Sequence, residues 1–424
     1  MRLPDWLAAL FTRRMLICVV TGFSSGLPLY LLLNLIPAWL FSEGISLKEI
    51  GVMTLIQLPY TWKFIWAPLM DRYAVLGLGR RRGWMLLTQL GLLASITGFG
   101  LLQPHVQLFQ IVALALLLTV LSATQDIAID AFRREILSDA ELGLGNSVHV
   151  NAYRIAGLVP GSLALILADH LPWSQVFLVT AMFMLPGVLM SLLVREPVCS
   201  AAAPPSLRAA VVEPFKEFIG RAGLREALAI LAFIFLYKLG DSLSTALATP
   251  FYLSMGYTKT HIGLVAKHAG LWPAVIGGLL GGLWMIRLGI NRALWLFGVV
   301  QLLSIFGFAW LAARGAQAAI GSGELWMLAV VIGFEALGVG LGTAAFVAFI
   351  ARATNPLYTA TQFALFTSLA SVPRSFINAS AGWLVEQLGW FAFFMLCAAL
   401  AVPGMLLLFK VAPWHAAREG DGPG

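Results

Sequence analysis

The sequence predicts an all-α membrane protein with twelve transmembrane helices in two pseudo-symmetric six-helix bundles. Three observations carry that prediction. Of the 424 residues, 60% are hydrophobic and only 11% are charged, against roughly 25% charged in a soluble domain. Apolar stretches of ~20 residues, long enough to cross a bilayer, recur from residue 15 to residue 409. Lys and Arg gather between alternate apolar stretches, the pattern of cytoplasmic loops.

Each element follows in order. Lipid offers the backbone no hydrogen-bond partners, so only helices and closed barrels cross it. These runs are long and lack period-2 alternation, so they read as helices. The first follows Arg13-Arg14 as a signal peptide would, but it continues to about Phe41 without a small-residue cleavage site. It is therefore read as a retained first span. The next five centre near residues 59, 94, 118, 155 and 184, the first being near 28. An Ala/Pro-rich and then amphipathic stretch, about 195–222, is the one long break. Six further spans centre near 240, 273, 302, 335, 370 and 399. The expected domains are an N-terminal bundle, 1–194; a linker, 195–222; a C-terminal bundle, 223–412; and a short polar tail, 413–424.

The net charge of +7 does not imply a nucleic-acid partner. The cations form short clusters at Arg13-Arg14, Arg80-Arg81-Arg82, Arg133-Arg134, 195–225, Arg287 and Arg292, Arg352, and Lys410. The intervening loops carry Lys48, Lys259 and Arg314. The asymmetry places both termini and the linker in the cytoplasm, with the lipid bilayer as the main partner. Cys18, Cys199 and Cys397 have no disulfide or metal-site spacing. Cys18 and Cys397 read as small apolar helix residues.

The halves resemble each other. "GISLKEIG" (Gly44–Gly51) follows span one and "GYTKTHIG" (Gly256–Gly263) follows span seven. Span five carries Arg154 ahead of "PGSLALILADHLPW"; span eleven carries Arg374 ahead of "INASAGWLVEQLGW". Repeated six-span halves mark a transporter whose ligand binds near the bilayer midplane.

Nine charged residues fall inside the spans: Lys63, Asp126, Asp130, Arg154, Lys238, Asp241, Lys267, Glu335 and Arg374. Each costs roughly 2.5–3.5 kcal/mol at mid-bilayer, so they are expected to face one another, water or a ligand. Asp126 and Asp130, four apart, share one face of span four. Mutual repulsion favours a retained proton, so both are candidates for proton coupling, with Asp241 and Glu335. Alternatively they pair with Arg154, or Asp130 joins Arg133-Arg134 in a gate. Lys238 and Asp241 are spaced to neutralise each other. Lys267 and Arg374 have no acid at helical spacing and, with Arg154 and Lys238, are candidates for binding an anionic ligand. Lys63 is expected to snorkel.

Tyr30, Trp62, Trp66, Tyr153, Tyr237, Trp272 and Phe334 lie on spans assigned to the cavity and could stack on a sugar, although such rings are common in membrane helices. No Walker loop, nucleophile elbow or metal-ligand cluster stands in the sequence. A transporter, not an enzyme, is expected, with the proton as coupling ion, no other cofactor and no metal.

Specific motifs sharpen this. "WAPLMDRYAVLGLGRRRGW" (Trp66–Trp84) resembles the loop between spans two and three of the major facilitator superfamily. "GFSSGLPL", "KFIWAPLMDRY", "SATQDIAIDAFRREIL", "YRIAGLV", "LYKLGD" and "ATQFALFTSLASVPR" are similar to the AmpG-type permeases of that superfamily, across nearly all spans. The resemblance implies a cytoplasmic gate at Asp71 and Arg72, which Arg133, one turn from Asp130, is expected to join. It also implies proton-driven import of anionic N-acetylglucosaminyl-1,6-anhydro-N-acetylmuramyl peptides across the bacterial inner membrane, for peptidoglycan recycling and, indirectly, beta-lactamase induction. Trp272, Tyr30 and Trp62 are the rings then expected beside the disaccharide, and a monomer is expected. The alternative is a proton-driven permease for siderophores or another anionic metabolite.

Overall fold

The computed structural model describes residues 9–45, 56–196, 206–258, 261–316, 320–372 and 377–415. Every described element is helical. Each of the twelve expected centres lies within one of the spans below. Two compact units form. Unit one comprises Met1–Ser138, Val148–Lys216 and Thr354–Ser368; unit two comprises Asp139–Ser147, Glu217–Ala353 and Leu369–Gly424. The units thus exchange two short segments relative to a division of the chain at its linker.

Unit one begins with span one, Arg13–Ser42, whose first turn is capped by the Thr12 hydroxyl accepting from Met15 N. Pro28 removes a backbone donor and is followed by a π turn at Leu31–Leu35. Span five, Asp139–Ala168, repeats the device with Pro160 inside a π turn at Val159–Leu163. Such turns absorb the lost hydrogen bond and bend the helix. Gly22 and Gly26 lie directly against the carbonyls of His149 and Tyr153, where a Cβ would collide. The motif "GFSSGLPL" thereby lets spans one and five touch backbone to backbone.

Span two, 58–72, is broken by a 3-10 turn at Lys63–Ile65. Span three is Arg82–Phe99, span four Pro104–Ile136 and span six Trp173–Leu193. Spans three and four pack together, and span six packs on spans three and one. Trp39, Phe99 and Phe177 fill the core, with Trp39 and Phe177 centroids 5.0 Å apart.

In unit two, span seven, Leu224–Ser254, leaves helical geometry at Lys238 (φ −102°, ψ 3°). Span eight, 262–288, passes into span nine, 290–314, through Gly289 (φ 75°). Span eleven, described over 359–372 and 377–388, passes into span twelve, 390–411, through Gly389 (φ 75°). Both reversals use the left-handed region that glycine enters without a Cβ clash. Span ten is Ser322–Ala353. Span twelve packs along span seven, and Phe251, Phe308, Phe393 and Phe394 form the core.

Candidate functional site

Span four presents its acids to different partners. Ser25 Oγ donates to Asp126 Oδ1 at 2.5 Å, and Asp126 makes no ion pair among the described residues. One turn earlier, Tyr60 donates to Ser122 Oγ at 2.8 Å. The adjoining Gln125 is fully buried, and neither of its side-chain amide atoms has a hydrogen-bond partner among the described residues. Asp130 is instead bound to Arg133 Nη2 at 2.7 Å, with Lys63 Nζ at 3.9 Å. Lys63 does not snorkel. The 3-10 turn draws it into the packing, where it is 6% exposed. Arg154 sits half-buried on span five.

The loop between spans two and three closes a second cluster. Asp71 is fully buried. It accepts from Arg81 Nη2 at 2.9 Å, from Ala360 N at 3.1 Å, and from Thr361 N and Oγ1 at 2.8 and 2.7 Å. The carboxylate therefore caps the first turn of span eleven, satisfying helix-terminal N–H groups that have no partner within the helix. Arg81 also donates to Glu135 Oε1 at 2.7 and 2.9 Å and to Met70 O at 2.9 Å. Burial opposes the Arg81 charge, but Glu135 and Asp71 outweigh it and hold the guanidinium pKa above its usual value. Glu196 accepts from Arg81 N and Arg82 N at 2.8 and 3.0 Å, capping span three. Arg72 stacks on Tyr73 at 5.4 Å, and Arg133 on Phe363 at 5.7 Å.

Of this cluster, sequence reasoning singled out Asp71, Arg72 and Arg133 as functional. It missed Arg81, Glu135, Glu196 and Thr361. Arg81 was visible only as the middle of a basic run. Glu135 and Glu196 lie 54 and 115 residues further along the chain than Arg81, and Thr361 lies 290 residues from Asp71, so no local spacing reports them.

In unit two, Lys238 Nζ lies 3.0 Å from Asp241 Oδ2, so the pair expected from the spacing forms. Asp241 Oδ1 is buried without a hydrogen-bond partner. Glu335 is 7% exposed on span ten. The rings divide. Trp62 and Trp272 are about half exposed, and Tyr30 packs edge-on against Tyr153 with centroids 5.8 Å apart. Tyr237 is a core ring stacked on Phe346 at 5.6 Å, with its hydroxyl donated to Leu294 O. It does not present a free face for a sugar. Arg374 lies outside the described residues, as does the side chain of Lys267, whose backbone opens the helix Lys267–Arg314.

Residues 18–323 match the Major Facilitator Superfamily. The chain is 53% identical over 407 residues to an uncharacterized protein from Haemophilus influenzae, covering 95% of this chain and 96% of that one. It is 41% identical over 397 residues to the anhydromuropeptide permease of Escherichia coli K12, covering 93% of this chain and 79% of that one. The crystal structure of the human organic anion transporter MFSD10 superimposes with a TM-score of 0.72 at 16% identity, over 96% of this chain and 100% of that one. That likeness concerns the fold: twelve spans in two six-helix bundles. This multi-pass membrane protein is a transporter and not an enzyme, and it belongs to the major facilitator superfamily and, within it, to the AmpG-type permeases.

Proposed function

We propose that this protein imports N-acetylglucosaminyl-1,6-anhydro-N-acetylmuramyl peptides from periplasm to cytoplasm across the bacterial inner membrane, driven by protons. The observation that carries the reading is 41% identity along 93% of the chain to a permease named for anhydromuropeptide. Import of this kind returns wall fragments for peptidoglycan recycling and indirectly supports beta-lactamase induction.

Asp126 is the proposed coupling acid. Asp130 is held by Arg133, whereas Asp126 accepts only a neutral hydroxyl among the described residues. An acid without a fixed cation can take and release a proton at modest cost. Asp241 and Glu335 are the secondary coupling candidates. Arg154, Lys238, Lys267 and Arg374 are proposed to receive the ligand's carboxylates, and Trp272, Tyr30 and Trp62 its sugar faces. Asp71, Arg72 and Arg133 form the proposed cytoplasmic gate, in a monomer with both termini cytoplasmic.

The test is uptake of radiolabelled anhydromuropeptide into vesicles carrying the purified protein, with and without an imposed pH gradient. Wild type should accumulate ligand only with the gradient. Asp126→Asn should bind as well as wild type yet lose the gradient response. A ferric siderophore taken up in place of the muropeptide would refute the substrate. An intact gradient response in Asp126→Asn would move coupling elsewhere.

A further inference from the structure

Unit two contains a small, partly open cavity with room for about one water molecule, lined by Tyr237 and Asp241 of span seven, by Gly298, Gln301, Leu302 and Ile305 of span nine, and by Ala401 and Met405 of span twelve. Two of its walls carry unmet hydrogen-bonding atoms. Asp241, 8% exposed, leaves Oδ1 without a partner, and Gln301, 4% exposed, leaves Nε2 without one. A buried polar atom left unsatisfied costs about 1–3 kcal/mol. Here an acceptor and a donor are unsatisfied around the same cavity.

The remaining wall supplies one more acceptor. The Tyr237 hydroxyl gives its proton to Leu294 O at 2.9 Å, which leaves the oxygen's lone pairs available. It lies beside Gly298, where an added Cβ would be 3.0 Å from it. The charged group paired with Asp241 is Lys238, on the other carboxylate oxygen, Oδ2. Leu302, Ile305, Ala401 and Met405 add apolar surface to the lining.

We propose that one water occupies this cavity and supports the charged carboxylate of Asp241 through the oxygen that Lys238 leaves free. It accepts from Gln301 Nε2 and donates to Asp241 Oδ1 and to Tyr237 Oη. Three hydrogen bonds are the usual complement of a buried water. The geometry makes Gln301 a positioning residue, acting on the carboxylate through the water.

Two measurements on the full-length purified protein test it, and neither uses substrate or a gradient, so they can fail independently of the transport assay. A high-resolution structure of wild type should show one water within hydrogen-bonding distance of both Asp241 Oδ1 and Gln301 Nε2. Infrared difference spectra against pH should show a carboxyl band that disappears in Asp241→Asn. In Gln301→Leu the water loses its donor and the charged carboxylate loses support. The Asp241 band should therefore shift in frequency relative to wild type. A dry cavity in wild type overturns the proposal even if the variant fails to fold. An occupied cavity in wild type with an unmoved Asp241 band in Gln301→Leu overturns the role of the water as support for the carboxylate.

Discussion

Two groups of buried charge, one in each unit, are satisfied in different ways. In unit one, Arg81 is saturated by Glu135, Asp71 and Met70 O, and Asp71 is filled by Arg81 and the first turn of span eleven. Asp130 holds Arg133 closely and Lys63 more loosely. In unit two, Lys238 pairs with Asp241, and that pair leaves Oδ1 unsatisfied. The contrast is instructive because desolvation penalises every buried charge, and only a full set of partners offsets it. A saturated network behaves as a rigid clasp. An unsaturated pair keeps a site where a proton, a water or a ligand group can come and go.

The comparison breaks most visibly at Arg81. Arg81→Ala leaves two buried carboxylates without their cation and should cost about 3–5 kcal/mol, the range for removing one partner of a buried pair. Reversible unfolding in mixed micelles reads that loss. A cost near zero would mean that water reaches the cluster, and the claim of a clasp would fail.

The next effect is smaller because the clasp is only thinned. Thr361→Val removes one hydroxyl donor to Asp71 but keeps both backbone donors. It should cost about 1.5–3 kcal/mol, as for a hydrogen bond to a charge. The same unfolding measurement checks it. A larger loss than for Arg81→Ala would show that the span-eleven cap, not the guanidinium, holds Asp71.

The smallest effect belongs to unit two. A double-mutant cycle of Lys238→Met and Asp241→Asn should give a coupling energy of about 1 kcal/mol. The pair is adjacent on one helix, and only one oxygen of the carboxylate takes part in it. Coupling as large as the Arg81 loss would erase the distinction between a saturated cluster and an unsaturated pair.

Much of the architecture was legible from the chain alone. Twelve spans could be counted because lipid forces each crossing to satisfy its own backbone, which makes a helix a local property of about 20 apolar residues. Lys238 with Asp241 was legible for the same reason, since their spacing of three places them together on a helix. Asp130 with Arg133 follows the same spacing, and the reading that Asp130 joins Arg133-Arg134 anticipated it. Lys63 was misread because hydropathy does not reveal that a 3-10 turn at Lys63–Ile65 directs the side chain inward. Tyr237 was misplaced because a ring on a given span can face the core or an opening, and sequence does not say which.

Composition and local spacing determined that this chain crosses a membrane as helices, roughly where each crossing lies, and which polar residues cannot face lipid. Only the tertiary structure decided which of those residues meet. Arg81 with Glu135, Asp71 with Thr361, Glu196 with the start of span three, and Asp241 beside Gln301 join positions from 54 to 290 residues apart. The physical reason is range. Helix periodicity fixes neighbours three or four positions apart, whereas the partners of a buried charge are set by how whole helices pack, and no pattern within one helix encodes that.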